Sequence, residues 1–129
     1  MRVCFDIDGV LCNQVDGDYQ QAQPNLLMIA LLNRLYDRGD QIVLHTSRFM
    51  GRAKGDREEA ERFGRDFTER QLDGWGVRYH ELWMGKPRYD IVIDDRCVFF
   101  QNDSSVIESL LENRRRLDAQ LEGGNTPAA

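Results

Sequence analysis

The stretch Asp6-Ile7-Asp8-Gly9-Val10-Leu11 follows the apolar run Val3-Cys4-Phe5 and decides how the rest of the chain is interpreted. In an extended strand, residues two apart share a face, so the carboxylates of Asp6 and Asp8 would point the same way. Two like charges held that close are costly unless a positive group compensates them. A hard divalent cation such as Mg²⁺ suits clustered oxygen ligands, and Gly9 lets the backbone turn sharply and approach a ligand closely. The stretch therefore predicts a strand that ends in an acidic turn.

The composition is that of one globular domain. A chain of 129 residues with 41% hydrophobic and 30% charged residues is long enough to bury a core. We expect a single domain over residues 1–122 and a frayed tail over 123–129. The net charge of −5 argues against a general nucleic-acid binder.

The sequence also carries an expectation about location. No apolar run approaches membrane-spanning length, and the N-terminus lacks a signal-peptide pattern, so we expect no membrane partner. The three cysteines are odd in number and lack metal-type spacing. We expect them to be free thiols in a reducing cytoplasm.

Short apolar strands alternate with helices along the rest of the chain. Helices are predicted from Asn25 to before Gly39, from Asp56 to about Asp73, and after a Ser105-x-x-Glu108 capping box. Strands or extended pieces are predicted at Val3–Phe5, Gln41–His45, Val77–Leu82, Tyr89–Ile93 and Val98–Phe100. This alternation predicts an α/β fold, a Rossmann-like three-layer sandwich with a mainly parallel sheet and helices on both faces. Such sheets bind ligands at the carboxyl ends of their strands.

Four motifs occur in a fixed order. They are D-x-D-G at 6–9, an apolar strand ending in Thr46, Lys86 in Gly-Lys-Pro, and Asp94-Asp95 after an apolar run. Each alone has an ordinary explanation as a strand end, a solvated lysine or a capping turn. Together they resemble the haloacid dehalogenase superfamily of Mg²⁺-dependent phosphotransferases, over residues 3–100.

The resemblance implies a role for each matched residue. Asp6 would attack phosphorus as the nucleophile, and Asp8 would act as general acid and then general base. Mg²⁺ would be held by Asp6, the backbone carbonyl of Asp8 and Asp94, with Asp95 assisting. The phosphate would be held by Thr46, Ser47, Lys86 and the backbone from Gly9 onward.

The resemblance also narrows the substrate. The intervals after Asp8 and after Thr46 leave no room for the separate cap domain of many relatives. Capless relatives act on large substrates or close the site with a neighbouring subunit, so we expect a homo-oligomer. The basic loop of Arg48, Arg52 and Lys54 would set specificity for a small phosphorylated substrate. The motifs are similar to those of small phosphatases of capsular or surface polysaccharide synthesis, which implies a heptose or hexose phosphate.

Three alternatives stay open at this point. One is a nucleotide or polynucleotide-end phosphatase, which the acidic charge disfavours for nucleic acid. Another is a response-regulator receiver domain, whose acidic pair comes early and whose acceptor Asp comes at mid-chain, the reverse of the order here. The third is a catalytically silent binding protein, although every expected catalytic position is filled.

Overall fold

The computed structural model describes residues 1–124 and shows an α/β fold built on a three-stranded parallel sheet. Along the chain the elements are β1 (Arg2–Phe5), α1 (Leu26–Asp37), β2 (Gln41–Thr46), α2 (Arg57–Gly74), β3 (Glu81–Met84) and α3 (Ser104–Gly124), with a 3-10 turn over Tyr19–Gln21. The central strand, β2, pairs in parallel with β1 on one side and with β3 on the other. The predicted α/β class and parallel sheet are confirmed.

The helices cover one face of this sheet. The strands lie side by side in the order β1, β2, β3. Crossovers between parallel strands are right-handed, so two successive crossovers toward the same edge of the sheet place α1 and α2 on the same face. The strand residues on that side include Phe5, Leu44 and Leu82, which are buried in the core cluster. On the opposite face Cys4 is exposed and Trp83 is 54% exposed. The described residues thus form one layer of helices, and the second layer predicted from the sequence is not among them.

Side-chain caps fix where α1 and α2 begin. Asn25 Oδ1 accepts a hydrogen bond from the N–H of Met28 at 3.3 Å. Asp56 Oδ1 accepts from the N–H groups of Glu58 and Glu59 at 3.0 and 3.3 Å. These bonds satisfy donors that a first helical turn leaves unpaired. Both helices follow loops at the carboxyl edge of the sheet, and in the described chain neither loop holds a further folded domain.

The last helix, α3, begins earlier and ends later than predicted. Its cap is Asp103, whose Oδ1 accepts from the N–H groups of Ser105 and Val106 at 3.0 and 3.3 Å. The helix continues to Gly124, so the first two residues of the predicted tail belong to it, and 125–129 lie outside the described residues. In the part of the chain that is described, no helix has both the length and the apolar character that a bilayer span requires.

The strand predicted at Tyr89–Ile93 does not form, and neither does one at Val98–Phe100. Ile91 and Ile93 are 81% and 96% exposed. Parallel strands require a crossover connection of about a dozen residues or more, and only residues 85–88 separate β3 from Tyr89. The apolar pattern indicates which side chains would gain from burial. The four residues between β3 and Tyr89 are too few for the crossover that a further parallel strand needs.

Candidate functional site

A cavity of about 630 Å³ opens at the carboxyl edge of the sheet. Its walls come from the loops after β1 and β2 and from residues 86–89 after β3. Five predicted site residues line it: Asp6, Asp8, Ser47, Arg52 and Lys86. Its size lies within the range of small-molecule pockets, and its position is the one at which parallel α/β sheets bind ligands.

Asp6 lies on the cavity wall with one oxygen held and the other turned toward a lysine. Its Oδ1 accepts a hydrogen bond from the N–H of Ile7 at 2.9 Å, and its Oδ2 lies 3.6 Å from Nζ of Lys86. Burial raises the pKa of Asp6, although Lys86 and the Ile7 N–H oppose that shift. The carboxylate is therefore oriented by the backbone and compensated by one cation, as a nucleophile requires.

Lys86 is positioned by a sharp turn after β3. Gly85 has φ +87°, a conformation that favours glycine, and the N–H of Lys86 donates to the carbonyl of Thr46 at 3.0 Å. Burial lowers the pKa of Lys86, but Asp6 and Tyr89 outweigh burial, so the pKa is raised. The ammonium also lies 5.4 Å from the ring centre of Tyr89. Lys86 thus remains a cation beside Asp6.

Asp8 is held by a buried arginine. Arg48 Nε donates to Asp8 Oδ2 at 2.9 Å, and Arg48 Nη2 donates to Asp8 Oδ1 at 3.0 Å. Arg48 is 1% exposed, whereas the side chain of Asp8 is 15% exposed. Arg48, which was predicted to contribute to specificity, is therefore buried and does not line the cavity. The carboxylate of Asp8 compensates the charge of the Arg48 guanidinium, and this pairing offsets the cost of burying that charge.

Three more side chains complete the surroundings of this pair. Gln71 Oε1 accepts from Arg48 Nη1 at 2.6 Å, and Gln71 Nε2 donates to the carbonyl of Tyr19 at 2.7 Å. The guanidinium lies 4.7 Å from the ring centre of Tyr19. Cys12 Sγ donates to Asp8 Oδ1 at 3.4 Å, since burial and the charge of Asp8 raise the pKa of this thiol to about 12. Arg48 therefore has almost no freedom to leave Asp8.

The predicted phosphate contacts divide into two groups. Ser47 and Lys86 line the cavity, whereas Thr46 and Gly9 do not. Thr46 is fully buried, and its Oγ1 accepts from the N–H of Arg48 at 3.1 Å. The N–H of Gly9 donates to the carbonyl of Cys12 at 2.9 Å, in a turn where Gly9 has φ +87°. Thr46 and Gly9 shape the two loops, and Ser47 presents the hydroxyl.

The basic wall of the cavity differs from the predicted one. Of the three residues assigned to specificity, Arg52 lines the cavity, while Arg48 lies beneath it and Lys54 is not part of its wall. Arg88, which sequence reasoning missed, lies on the same wall. Arg88 carries no signal in the sequence, because a single arginine after Lys86-Pro87 is typical of a solvated surface residue.

Asp94 and Asp95, the other two predicted metal ligands, are not brought to the cavity. Both are exposed, and Asp94 Oδ1 accepts from the N–H of Arg96 at 2.9 Å, which lowers the pKa of Asp94. This separation follows from the absence of the predicted strand over Tyr89–Ile93. Among residues 1–124 no three His, Cys, Asp or Glu side chains are grouped so that they could hold a metal ion.

Two carboxylates at the cavity are nevertheless a suitable start for Mg²⁺. This ion is commonly held by one or two carboxylates together with substrate phosphate and water, rather than by an all-protein cage. Because the carboxylate of Asp8 is paired with Arg48, Asp6 and the backbone carbonyl of Asp8 would hold the ion. That carbonyl accepts one hydrogen bond, from Gln14 Nε2 at 3.2 Å, and keeps a second lone pair.

Phe49 has an uncommon backbone that sequence reasoning also missed. Its φ is +66°, and its N–H donates to the hydroxyl of Tyr19 at 3.1 Å. Gly64 of α2 makes room for the ring, because a Cβ there would lie 2.2 Å from Phe49 Cδ2. In the sequence, Gly64 inside a predicted helix was the signal that another group packs closely against that helix.

One solved structure is similar to this protein in fold and in sequence. A crystal structure of an MCSG target from Vibrio cholerae matches with a TM-score of 0.70 and 31% sequence identity, over 76% of this chain and 83% of that chain. No family model and no curated protein matches. At this identity and coverage, the chain belongs to the same family as the Vibrio cholerae protein.

Proposed function

We propose that the protein is a capless phosphatase of the haloacid dehalogenase type, which hydrolyses a small phosphomonoester with the help of Mg²⁺. The observation that carries the proposal is the pair of carboxylates on one cavity wall, each with its own cation. Asp6 faces Lys86, and Asp8 is held by Arg48. The order of the motifs in the sequence, and the Rossmann-like course of β1, β2 and β3, support the same assignment.

In the first step, Asp6 acts as the nucleophile. A carboxylate oxygen of Asp6 forms a bond to phosphorus while the bond between phosphorus and the leaving oxygen breaks, which gives an aspartyl-phosphate. Lys86 offsets the charge that accumulates on Asp6 and on the transferring group, and Ser47 donates to a phosphate oxygen. Asp8 gives a proton to the leaving oxygen.

In the second step, water hydrolyses the aspartyl-phosphate. Asp8 takes a proton from the water as its oxygen forms a bond to phosphorus, and Asp6 is released as a carboxylate. Arg48, which donates to both oxygens of Asp8, keeps that carboxylate in place for this proton transfer.

Asp6 and the carbonyl of Asp8 would hold Mg²⁺, with Asp94 and Asp95 as the proposed further ligands. When bound, the ion would reduce the repulsion between the anionic nucleophile and the anionic phosphate. Asp94 lies only five residues beyond Tyr89, which lines the cavity, so an extended chain can span about 17 Å from there. The proposal requires residues 90–95 to move toward Asp6, and it is tested by the Mg²⁺ concentration that Asp94→Asn needs for half-maximal activity.

The proposed substrate is a sugar phosphate, such as a heptose or hexose phosphate of surface polysaccharide synthesis. The cavity volume suits a molecule of that size better than a phosphate ion alone. The predicted homo-oligomer and cytoplasmic location stay predictions.

The first experiment measures phosphate release from sugar phosphates and nucleotides, with Mg²⁺ and with a chelator. Asp6→Asn should abolish turnover, since the amide keeps the shape of the side chain but is not a nucleophile. Asp16→Asn is the matched control, because Asp16 also lines the cavity and has no proposed chemical role. Turnover that survives in Asp6→Asn would refute the mechanism, and activity confined to nucleotides would change the substrate class.

A further inference from the structure

Two arginines lie on the cavity wall away from the carboxylates. Arg52 lies over the ring of Phe49, 5.0 Å from its centre, and its Nη2 donates to the carbonyl of Gly17 at 3.3 Å. Arg88 lies against the neighbouring backbone, because its Nη1 is 3.2 Å from the point where a Cβ of Gly51 would be. Gly51 directly precedes Arg52. The two guanidinium groups therefore approach the same part of the wall from two different loops.

No carboxylate balances the charge of either arginine within the described residues. Lys86 faces Asp6, and Arg48 is paired with Asp8, so the cations nearest the reacting carboxylates are committed. Most arginines of the chain form ion pairs with Asp or Glu, for example Arg2 with Glu81 and Arg34 with Glu108. Across residues 1–124 neither Arg52 nor Arg88 has a carboxylate oxygen within 4.0 Å, although Asp16 lines the same cavity.

Two cations on one wall are unfavourable unless an anion lies between them. Guanidinium groups bind phosphate and carboxylate through paired N–H donors, which makes them well suited to such an anion. The cavity of about 630 Å³ also exceeds what one phosphoryl group at Asp6 would occupy. The observations thus favour a ligand with negative charge at both of its ends.

We propose that Arg52 and Arg88 bind a second anionic group of the substrate, which is therefore a phosphomonoester that carries another phosphate or a carboxylate. The inference rests on the proposed function for the reacting end, at Asp6, but the second subsite is defined by different residues. A sugar bisphosphate or a phosphorylated sugar acid belongs to this class. A neutral sugar monophosphate would use only the reacting end of the cavity.

The test compares ligands with and without a second anionic group, on the Asp6→Asn protein so that binding is measured without turnover. Calorimetry gives the affinity for glucose 6-phosphate, for glucose 1,6-bisphosphate, which differs from it by one phosphate, and for the open-chain acid 6-phosphogluconate. We expect at least one of the two ligands with a second anionic group to bind about tenfold more tightly than glucose 6-phosphate, since bonds between charged groups are the strong ones. The ligand that gains identifies the second anion as a phosphate or as a carboxylate.

Substitution of the two arginines then tests whether they cause the gain in affinity. Arg52→Ala combined with Arg88→Ala should remove the preference and leave the affinity for glucose 6-phosphate nearly unchanged. Lys54→Ala is the matched control, because Lys54 carries the same charge in the same loop and does not line the cavity. Equal affinities for all three ligands, or a preference that survives the double substitution, would overturn the inference.

A parallel measurement on the wild-type protein separates this inference from the proposed function. If phosphate release depends on Asp6 but shows no preference for a second anion, the subsite is wrong and the function stands. If no phosphomonoester is hydrolysed, yet the arginine-dependent preference is present in the binding assay, the function is wrong and the subsite stands.

Discussion

Replacing Arg48 should destabilise the fold strongly, although this residue comes from a loop. Arg48→Met keeps a side chain of similar length and removes the charge and all hydrogen bonds to Asp8 and Gln71. Breaking a buried ion pair by removing one partner costs about 3–5 kcal/mol, because the other charge stays behind without compensation. Since Asp8 is 15% exposed and faces the cavity, water can reach its carboxylate in the variant. We therefore expect the lower end of that range, about 3 kcal/mol.

The reverse substitution should cost at least as much. Asp8→Ala leaves the guanidinium of Arg48, whose side chain is 0% exposed, without its partner and without access to water. Asp8→Ala combined with Arg48→Met removes both charges, so the double variant should be less destabilised than the sum of the single effects. The coupling energy should be at least about 2 kcal/mol for groups in direct contact.

Equilibrium unfolding in urea at pH 7 measures these free energies, with circular dichroism and tryptophan fluorescence as independent probes. Arg52→Met, in the same loop but on the exposed wall, is the matched control and should change stability by less than about 0.5 kcal/mol. A loss below about 1 kcal/mol for Arg48→Met, or additive single effects, would refute the claim that this pair anchors the site.

Three further substitutions test other contacts. Lys86→Met removes the cation that lowers the pKa of Asp6, so Asp6 should ionise at higher pH and the acid limb of the pH–activity profile should move in the same direction. An unmoved limb would argue against an interaction between Lys86 and Asp6. Hydrogen bonds from Arg115 and from the N-terminal ammonium lower the pKa of Asp40 from an ordinary 3.8 to about 2, although burial opposes this shift. The ionised Asp40 carboxylate therefore contributes roughly 2 kcal/mol to the free energy of unfolding above pH 4, and this contribution is lost as the pH falls toward 2. Over that window the wild-type protein should lose its advantage in stability over Asp40→Asn. Gly64→Ala should destabilise by about 1–3 kcal/mol because its Cβ meets the Phe49 ring, whereas Gly74→Ala in the same helix meets nothing within 4 Å and should be neutral or stabilising in thermal unfolding.

The elements with local signals were predictable from the sequence. The helices α1 and α2 have apolar residues at helical spacing, and each is preceded by a capping side chain, Asn25 or Asp56. The strands β1 and β2 are short apolar runs that end in polar residues. The start of α3 was predicted at a Ser105 cap, but Asp103, two residues earlier, caps the helix, because sequence patterns locate helix ends only to within one or two residues.

The acidic half of the site was predictable for Asp6 and Asp8 and not for Asp94 and Asp95. The first pair directly follows β1, and the strand itself carries these carboxylates to the edge of the sheet. The second pair depended on a strand whose existence requires a partner and a connection of sufficient length. Neither condition can be read from the apolar pattern of Ile91 to Ile93.

The two arginines of the loop after β2 show why a basic loop cannot be interpreted from charge alone. Arg48 and Arg52 are four residues apart, yet one is buried against Asp8 and the other lies on the cavity wall. The difference comes from partners that are distant in sequence, because Asp8 and Gln71 offer acceptors to Arg48, while the carboxyl groups near Arg52 are out of reach. One arginine therefore fixes a carboxylate in place and the other remains available to a ligand. It follows that specificity can change at Arg52 without loss of the fold, whereas a change at Arg48 must alter both the stability of the fold and the position of Asp8.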